Sequence, residues 1–226
     1  MTRTLIIPDV HTKFGLAETI IEKEKADEVV FLGDYFDNFD NYESAHQTAV
    51  WLKESMSKPH RIHLIGNHDL SYAREEWKFK CSGYEIEKDN AIKSVGIVWG
   101  QLWQFVWVDD WLLTHAGLSN EFYKAYAKYG EDVNKFLSRM CEDDILRDTL
   151  YSVSGFRGGN DEHAGIVWCD WREFDAIPGV KQIFGHTVGN IVRHRNKKTN
   201  YCIDTGLQHY AIYHHDTSKM EIKEVA

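Results

Sequence analysis

Nine oxygen- and nitrogen-bearing side chains fall where short apolar runs give way to turns: Asp9, His11, Asp34, Asp37, Asn67, His68, Asp69, His115 and His186. Carboxylates and imidazoles in one set suit Mn, Fe, Zn, Ni or Co, whereas an all-oxygen set would favour Mg or Ca. Asp9 and His11 are two residues apart, so in an extended segment they point the same way and can grip one ion. Asp34 can bridge two ions through its two oxygens. Two divalent cations against Asp9 and Asp34 leave a local excess of positive charge, which attracts phosphate.

Three N-terminal segments carry most of these residues on one plan: a short run with β-branched residues, a polar cluster, then a helix-length amphipathic stretch. Thr4 to Ile7 precedes P-D-V-H, Val29 to Leu32 precedes G-D-Y-F-D, and Arg61 to Ile65 precedes G-N-H-D. Leu16 to Ala26 and Tyr42 to Met56 supply the helices between them. Strands alternating with helices predict βαβ units with parallel pairing and right-handed crossovers. In such sheets ligands gather beyond the carboxyl ends of strands, where all three polar clusters fall. Lys78 to Ser94, charged and carrying Gly83, reads as an excursion over the surface. Trp99, Trp103, Trp107 and Trp111 read as strand residues packing a core or sheet face, and Asp109 and Asp110 turn a hairpin between Phe105 to Val108 and Trp111 to Thr114. Helices are expected over Asn120 to Tyr129 and Asp132 to Leu150, followed by a flexible loop at Gly155, Gly158 and Gly159. Further strands are expected at Ile166 to Trp168, Gln182 to Phe184, Ile191 to Val192, Tyr201 to Ile203 and Ala211 to Tyr213. With only 3 prolines, no repeat and no linker, residues 1–226 read as one α/β domain with a second sheet.

A chain of 226 residues that is 43% hydrophobic and 27% charged can bury a sizeable core, which excludes disorder as its main state. Lys and Arg number 26 against 35 Asp and Glu, a net charge of −9 that disfavours an extended nucleic-acid track or an anionic membrane surface while permitting a local cationic pocket. Leu5, Ile6 and Ile7 fall short of a signal-peptide core. No stretch approaches the roughly 18 apolar residues of a membrane span, so the expected location is the cytoplasm. Cys81, Cys141, Cys169 and Cys202 are widely separated and read as reduced thiols, mostly packed.

The order D-V-H, G-D-Y-F-D, G-N-H-D, T-H-A-G-L and F-G-H-T resembles the calcineurin-like metallophosphoesterases. It is closest to their serine/threonine phosphoprotein phosphatase branch and the related symmetric dinucleoside tetraphosphate hydrolases. I-V-W-C-D-W at 166 to 171 and I-D-T-G at 203 to 206 are similar to segments flanking the final histidine of that branch. The resemblance implies a two-sheet β-sandwich flanked by helices and two divalent transition metal ions, manganese first. Asp9, His11 and Asp34 would hold one ion; Asp34, Asn67, His115 and His186 would hold the other. A bridging water or hydroxide would be the nucleophile, its pKa lowered by the two cations. His68 would protonate the leaving oxygen and Asp37 would orient His68.

Two departures stand out. Many relatives end in G-H-x-H, but here Val188 follows His186 and Thr187, which weakens the likeness to nuclease and cyclic-nucleotide diesterase branches. The phosphoprotein phosphatases carry a phosphate-clamping arginine directly after G-D-x-x-D, and this chain has Asn38. A neutral amide loses bidentate charge pairing, so Arg74, Arg157 and Arg172 become candidates, Arg172 first. Asp69 reads equally as a support for the site or a helix cap. His60, His63, His194, His209, His214 and His215 read as surface or packed residues, and Glu142, Asp143 and Asp144 as a solvated helix face. The expected activity is hydrolysis of a phosphomonoester, on a phosphoprotein or a small metabolite. The alternatives are a phosphodiesterase or dinucleoside polyphosphate hydrolase, and a silent metal-binding scaffold.

Overall fold

Period-two alternation of branched apolar residues builds the strands and also divides the core. The computed structural model describes residues 2–38 and 41–225. In chain order β1 (Arg3–Ile7), α1 (Phe14–Glu24), β2 (Glu28–Phe31), α2 (Tyr42–Met56) and β3 (Arg61–His63) form the expected βαβ units. Then come α3 (Asn67–Ala73), α4 (Ile86–Val95), and the hairpin β4 (Phe105–Val108) and β5 (Trp111–Thr114). Helices α5 (Asn120–Tyr126), α6 (Val133–Glu142) and α7 (Asp144–Thr149) follow. The chain ends in β6 (Lys181–Phe184), β7 (Arg193–Arg195), β8 (Asn200–Cys202), β9 (His209–His214) and β10 (Lys219–Glu224).

Two five-stranded sheets result, ordered β10-β9-β1-β2-β3 and β4-β5-β6-β8-β7. β1, β2 and β3 pair in parallel, with Leu5 opposite Val29 and Val30 opposite Ile62. β5, β6 and β8 do the same in the second sheet. Ile6, Val30, Ile183 and Leu113 pack together in one buried cluster between the sheets, while Leu5, Val29, Phe184 and Leu112 join the larger helix-side cluster. Each fully buried aliphatic contributes roughly 1.5–3 kcal/mol, so a one-residue slip in register would forfeit both layers together. This is the two-sheet sandwich flanked by helices. Among the described residues no helix is long and apolar enough to cross a membrane.

Several expected elements differ. Ile166 to Trp168 is a buried turn rather than a strand, because the N–H groups of Trp168 and Cys169 both return to Gly165 O. The strand expected at Ile191 to Val192 lies one step later, at β7. Trp99 sits in a short 3₁₀ turn, Trp99–Gln101, and Trp103 is exposed. The helix expected over Asp132 to Leu150 breaks at Asp143, whose extended backbone lets its carboxylate accept from Ile145 N and Leu146 N at 2.8 and 3.0 Å. That part of the acidic run is thus a cap, not a helix face. The helix expected to Tyr129 ends at Tyr126. The excursion 78–94 contains most of α4, which packs against α2 and brings a buried lysine, Lys88, into the interior. β10 was not anticipated, since its Lys-Met-Glu-Ile-Lys-Glu alternation carries only two apolar residues.

His63 holds β3 against α2. Its Nε2 lies 3.0 Å from Ser55 Oγ, its Nδ1 3.1 Å from the Tyr35 hydroxyl, and its ring stacks on Phe31. Because Tyr35 donates its own proton to Leu64 O, the neutral ring with Nδ1–H satisfies every bond. Burial, reinforced by the Arg61 guanidinium, pushes His63 down to about 3. The unfolded chain therefore takes up a proton below about pH 6.5 that the folded chain refuses, and stability falls with pH through that window. Between pH 6.5 and 5 the His63 contribution should cost about 2 kcal/mol. Urea denaturation of wild type and His63→Asn at both pH values checks this; equal pH dependence in the two would refute it.

Candidate metal centre

Backbone strain and hydrogen bonds bring the three parallel strand ends of the first sheet together. After β1, His11 and Thr12 adopt positive φ (40° and 61°), and the N–H groups of Val10 and His11 both donate to Asp34 O. After β2, Gly33 turns with φ 107° so close to the next loop that a Cβ there would meet Gly66 N at 2.7 Å. Asp69 joins the second and third loops: one carboxylate oxygen accepts from Asp34 N and Gly66 N, the other from Tyr35 N, at 2.8–2.9 Å. It is both a cap on α3 and a support for Asp34. The second sheet contributes His115 after β5 and His186 after β6 and Gly185. The two N-terminal and C-terminal groups meet directly, since His186 N donates to both oxygens of Asp9 at 3.0 and 3.1 Å.

The side chains fall into two overlapping groups, Asp9 with His11 and Asp34, and Asp34 with His115 and His186, each within 4.8 Å. Asn67 joins the second, its Oδ1 lying 3.0 Å from His115 Nε2 and 2.8 Å from His186 Nδ1. His115 donates Nδ1–H to Leu32 O, and His11 donates Nδ1–H to Phe36 O. Each ring therefore turns its Nε2 inward, that of His115 toward Asn67 Oδ1 and toward Asp34 Oδ2 3.3 Å away. Such a nitrogen faces those oxygens favourably only when it carries a proton or when a metal cation sits among them. His186 Nε2 is buried without a hydrogen-bond partner among the described residues. Gly66 and Gly185 are cradles of the same kind: a Cβ would come within 2.1 Å of Asp34 Oδ1 and 1.9 Å of Asp9 Oδ1. The donor set fits divalent transition ions held by nitrogen and oxygen.

Electrostatics carry the same signature. Burial, and then the Asp204 charge, push the Asp9 carboxyl well above its usual range. Asp34 is held below it: burial opposes this, but His115 and His68 outweigh burial. Burial would depress His115, yet the Asp34 charge pushes it up to about 9. Burial and the Asp34 charge raise Asp69 to about 7. Protons and imidazolium thus offset clustered negative charge, a task divalent ions perform more strongly.

Beside this centre His68 Nδ1 lies 2.9 Å from Asp37 Oδ2. Tyr72 donates to the other oxygen of Asp37 at 2.6 Å, and Lys88 Nζ stands 3.5 Å from it. Lys88 is 1% exposed, and its ammonium also donates to Gly83 O. His68 would be depressed by burial, but Asp34 and the Asp37 bond raise it well above its ordinary value. A cavity of ≈ 460 Å³ opens over His11, Asp34, Asn67, His68 and His186, and Lys78, Lys80 and Arg157 line its other side.

The three candidate arginines part company here. Arg157 lines the cavity, held by Asp170 Oδ2 at 3.0 Å and reaching Thr187 Oγ1. Arg172 does not line it; it donates to both oxygens of Asp170 and lies over the Phe156 ring. Arg74 is also outside the lining, in ion pairs with Asp148 and Glu76. Asn38 is exposed and does not line the cavity. Sequence reasoning missed Asp204, Asp170, Lys88 and Cys81. Asp204 and Asp170 sit inside I-D-T-G and W-C-D-W, so those segments held the signal; the lysine and the thiol lie in the excursion and had none.

The calcineurin-like phosphoesterase family model matches residues 2–190, and the chain belongs to that family. No curated protein sequence matches the chain. Among solved structures it is similar to a cold-active protein-tyrosine phosphatase of a psychrophilic Shewanella, at 15% identity and TM-score 0.60, covering 98% of this chain and 80% of that one. It is also similar to a protein serine/threonine phosphatase from Saccharomyces cerevisiae, at 12% identity and TM-score 0.58, covering 100% and 80%. A candidate diadenosine tetraphosphatase matches at 15% identity and TM-score 0.52, covering 100% and 94%. These likenesses are of fold.

Replacing Gly185 with alanine drives a methyl into Asp9. Gly185→Ala should keep a native far-UV circular dichroism spectrum while its affinity for a divalent transition ion falls about tenfold or more. Isothermal titration with manganese reads this directly, and wild-type affinity in the variant would show that Asp9 plays no part in holding the ion.

Proposed function

We propose that the protein hydrolyses a phosphomonoester with two divalent transition ions, manganese first. The observation that carries this is the adjacency of two overlapping three-residue ligand groups to a His68–Asp37 pair, with His11, Asp34, His68 and His186 lining one cavity that Lys78, Lys80 and Arg157 also line. Asp9, His11 and Asp34 would hold one ion, and Asp34, Asn67, His115 and His186 the other. Bound ions supply Lewis acidity and offset the charge of a phosphate. His68 holds one proton on Nδ1 toward Asp37 and, as imidazolium, presents the other on Nε2 to the leaving oxygen. Asp37 keeps the ring oriented and charged, itself held by Tyr72 and Lys88. Arg157, fixed by Asp170, supplies the forked cation expected next to the G-D-x-x-D motif, where Asn38 stands instead.

One observation favours the alternative substrate class, a phosphodiester or dinucleoside polyphosphate. A second cavity of ≈ 640 Å³, lined by exposed Trp77, adjoins the first and shares Lys78, Gly158 and Gly159 with it. It leaves room for a large group beyond the scissile bond.

Manganese-loaded protein should release phosphate from an aryl phosphomonoester, lose turnover in chelator and regain it with manganese; turnover of the matching diester alone would favour the alternative. His68→Ala should lower kcat about 10²- to 10⁴-fold, with the larger loss on alkyl esters, whose leaving group needs the proton more. Equal losses on aryl and alkyl esters would remove His68 as the acid.

Arg157→Lys keeps charge but breaks the fork. KM for the monoester should rise by about tenfold with a smaller change in kcat, since the clamp binds substrate and transition state alike. An unchanged KM would leave the phosphate to Lys78 or Lys80.

A further inference from the structure

A third cluster of metal-binding side chains lies beside the centre. A carboxylate oxygen of Asp37, a ring nitrogen of His68 and the Cys81 thiol lie within 4.8 Å of one another. Cys81 comes from the excursion between α3 and α4, and both it and His68 line the cavity. The thiol is free, half-buried, and 2.9 Å from Ser71 Oγ. Gly83, two residues on, packs so tightly on Asp37 that a Cβ would meet Asp37 Cβ at 2.9 Å, which fixes the excursion against the carboxylate.

We propose that Asp37, His68 and Cys81 form a separate site for a thiophilic divalent ion such as zinc, and that filling it removes His68 from its proton-donating role. The proposal rests on the assignment of His68 above only in its second half. Thiolate, imidazole and carboxylate are three zinc donors, with water completing a tetrahedron. The soft sulfur selects zinc over manganese, so the site differs in preference from the nitrogen- and oxygen-lined centre next to it. Binding releases the thiol proton and the proton that His68 holds toward Asp37. Thiolate and carboxylate then neutralise the added ion, which lets it stand beside other cations. One Asp37 oxygen is committed to Tyr72 and Lys88, which leaves the oxygen facing His68 to ligate. A metal-bound His68 has lost the proton it held toward Asp37 and is no longer the imidazolium that donates readily to a leaving group.

Cobalt(II) reports the site independently of catalysis, because a cobalt–thiolate bond gives a near-ultraviolet charge-transfer band. Titration of the full chain with cobalt should give that band in wild type, and Cys81→Ser and Cys81→Ala should lack it. Burial raises the pKa of the other three thiols, Cys141, Cys169 and Cys202, and the two Cys81 substitutions assign the band. In the manganese enzyme, zinc should inhibit wild type at a concentration about tenfold or more below that needed for either variant, each measured against its own zinc-free rate. No band in wild type, or a band that survives both substitutions, overturns the site. A Cys81-dependent band with equal zinc inhibition in all three proteins overturns the control of His68. If the protein hydrolyses no phosphoester, the band still decides the site, so failure of the proposed function and failure of this inference are told apart.

Discussion

Clustered buried negative charge is the constraint on which the rest of the structure depends. Asp9, Asp34, Asp69 and Asp204 are each at most 2% exposed and act on one another. Two like charges about 4 Å apart repel by about 4 kcal/mol at an effective dielectric of about 20, and a whole domain is stable by only about 5–15 kcal/mol. The fold answers with backbone N–H groups on Asp69, Asp34 and Asp9, with His115, and with lone pairs aimed where cations would sit. The strained turns at His11, Asp34, Asp37 and His186, all at positive φ, are tolerated because these bonds over-determine them.

The residues nearest to chemistry were the most readable in the sequence. Candidate donors follow strands whose branched apolar residues announce themselves, and Asp9, Asp34, His115 and His186 do lie just beyond β1, β2, β5 and β6. The misreadings have a common physical origin. A buried apolar triplet such as Ile166 to Val167 to Trp168 carries no periodicity, and only the bonds back to Gly165 make it a turn. The helix break at Asp143 depends on one carboxylate choosing to cap instead of facing solvent. Among the arginines, side-chain length lets any of three reach a phosphate on paper. Both Arg157 and Arg172 pair with Asp170, and the folded arrangement puts only Arg157 in the cavity lining.

The excursion after α3 shows why composition misleads for charged segments. Charge predicted solvent exposure, and Lys78 is indeed exposed. Lys88 does the opposite because Asp37 is already buried and needs a cation, so the pair is interpretable only together. The same segment supplies Lys78, Lys80 and Cys81 to the cavity wall. A stretch that looks peripheral in sequence therefore sets much of the environment that a substrate would meet.

The bond from His186 N to Asp9 joins residues 177 positions apart and spans both sheets. No shorter-range piece of the chain contains the two ligand groups, so the centre has no local precursor: β1 to β3 can pair early, but the pocket closes only after β6 docks. On a ribosome, nearly the whole chain must emerge before the acidic loops acquire their histidine partners. Until then Asp9 lacks the His186 N–H and Asp34 lacks His115, and loop-closure entropy weighs against the step that supplies them. The full donor set is therefore a long-range assembly, complete only when segments 177 positions apart have met.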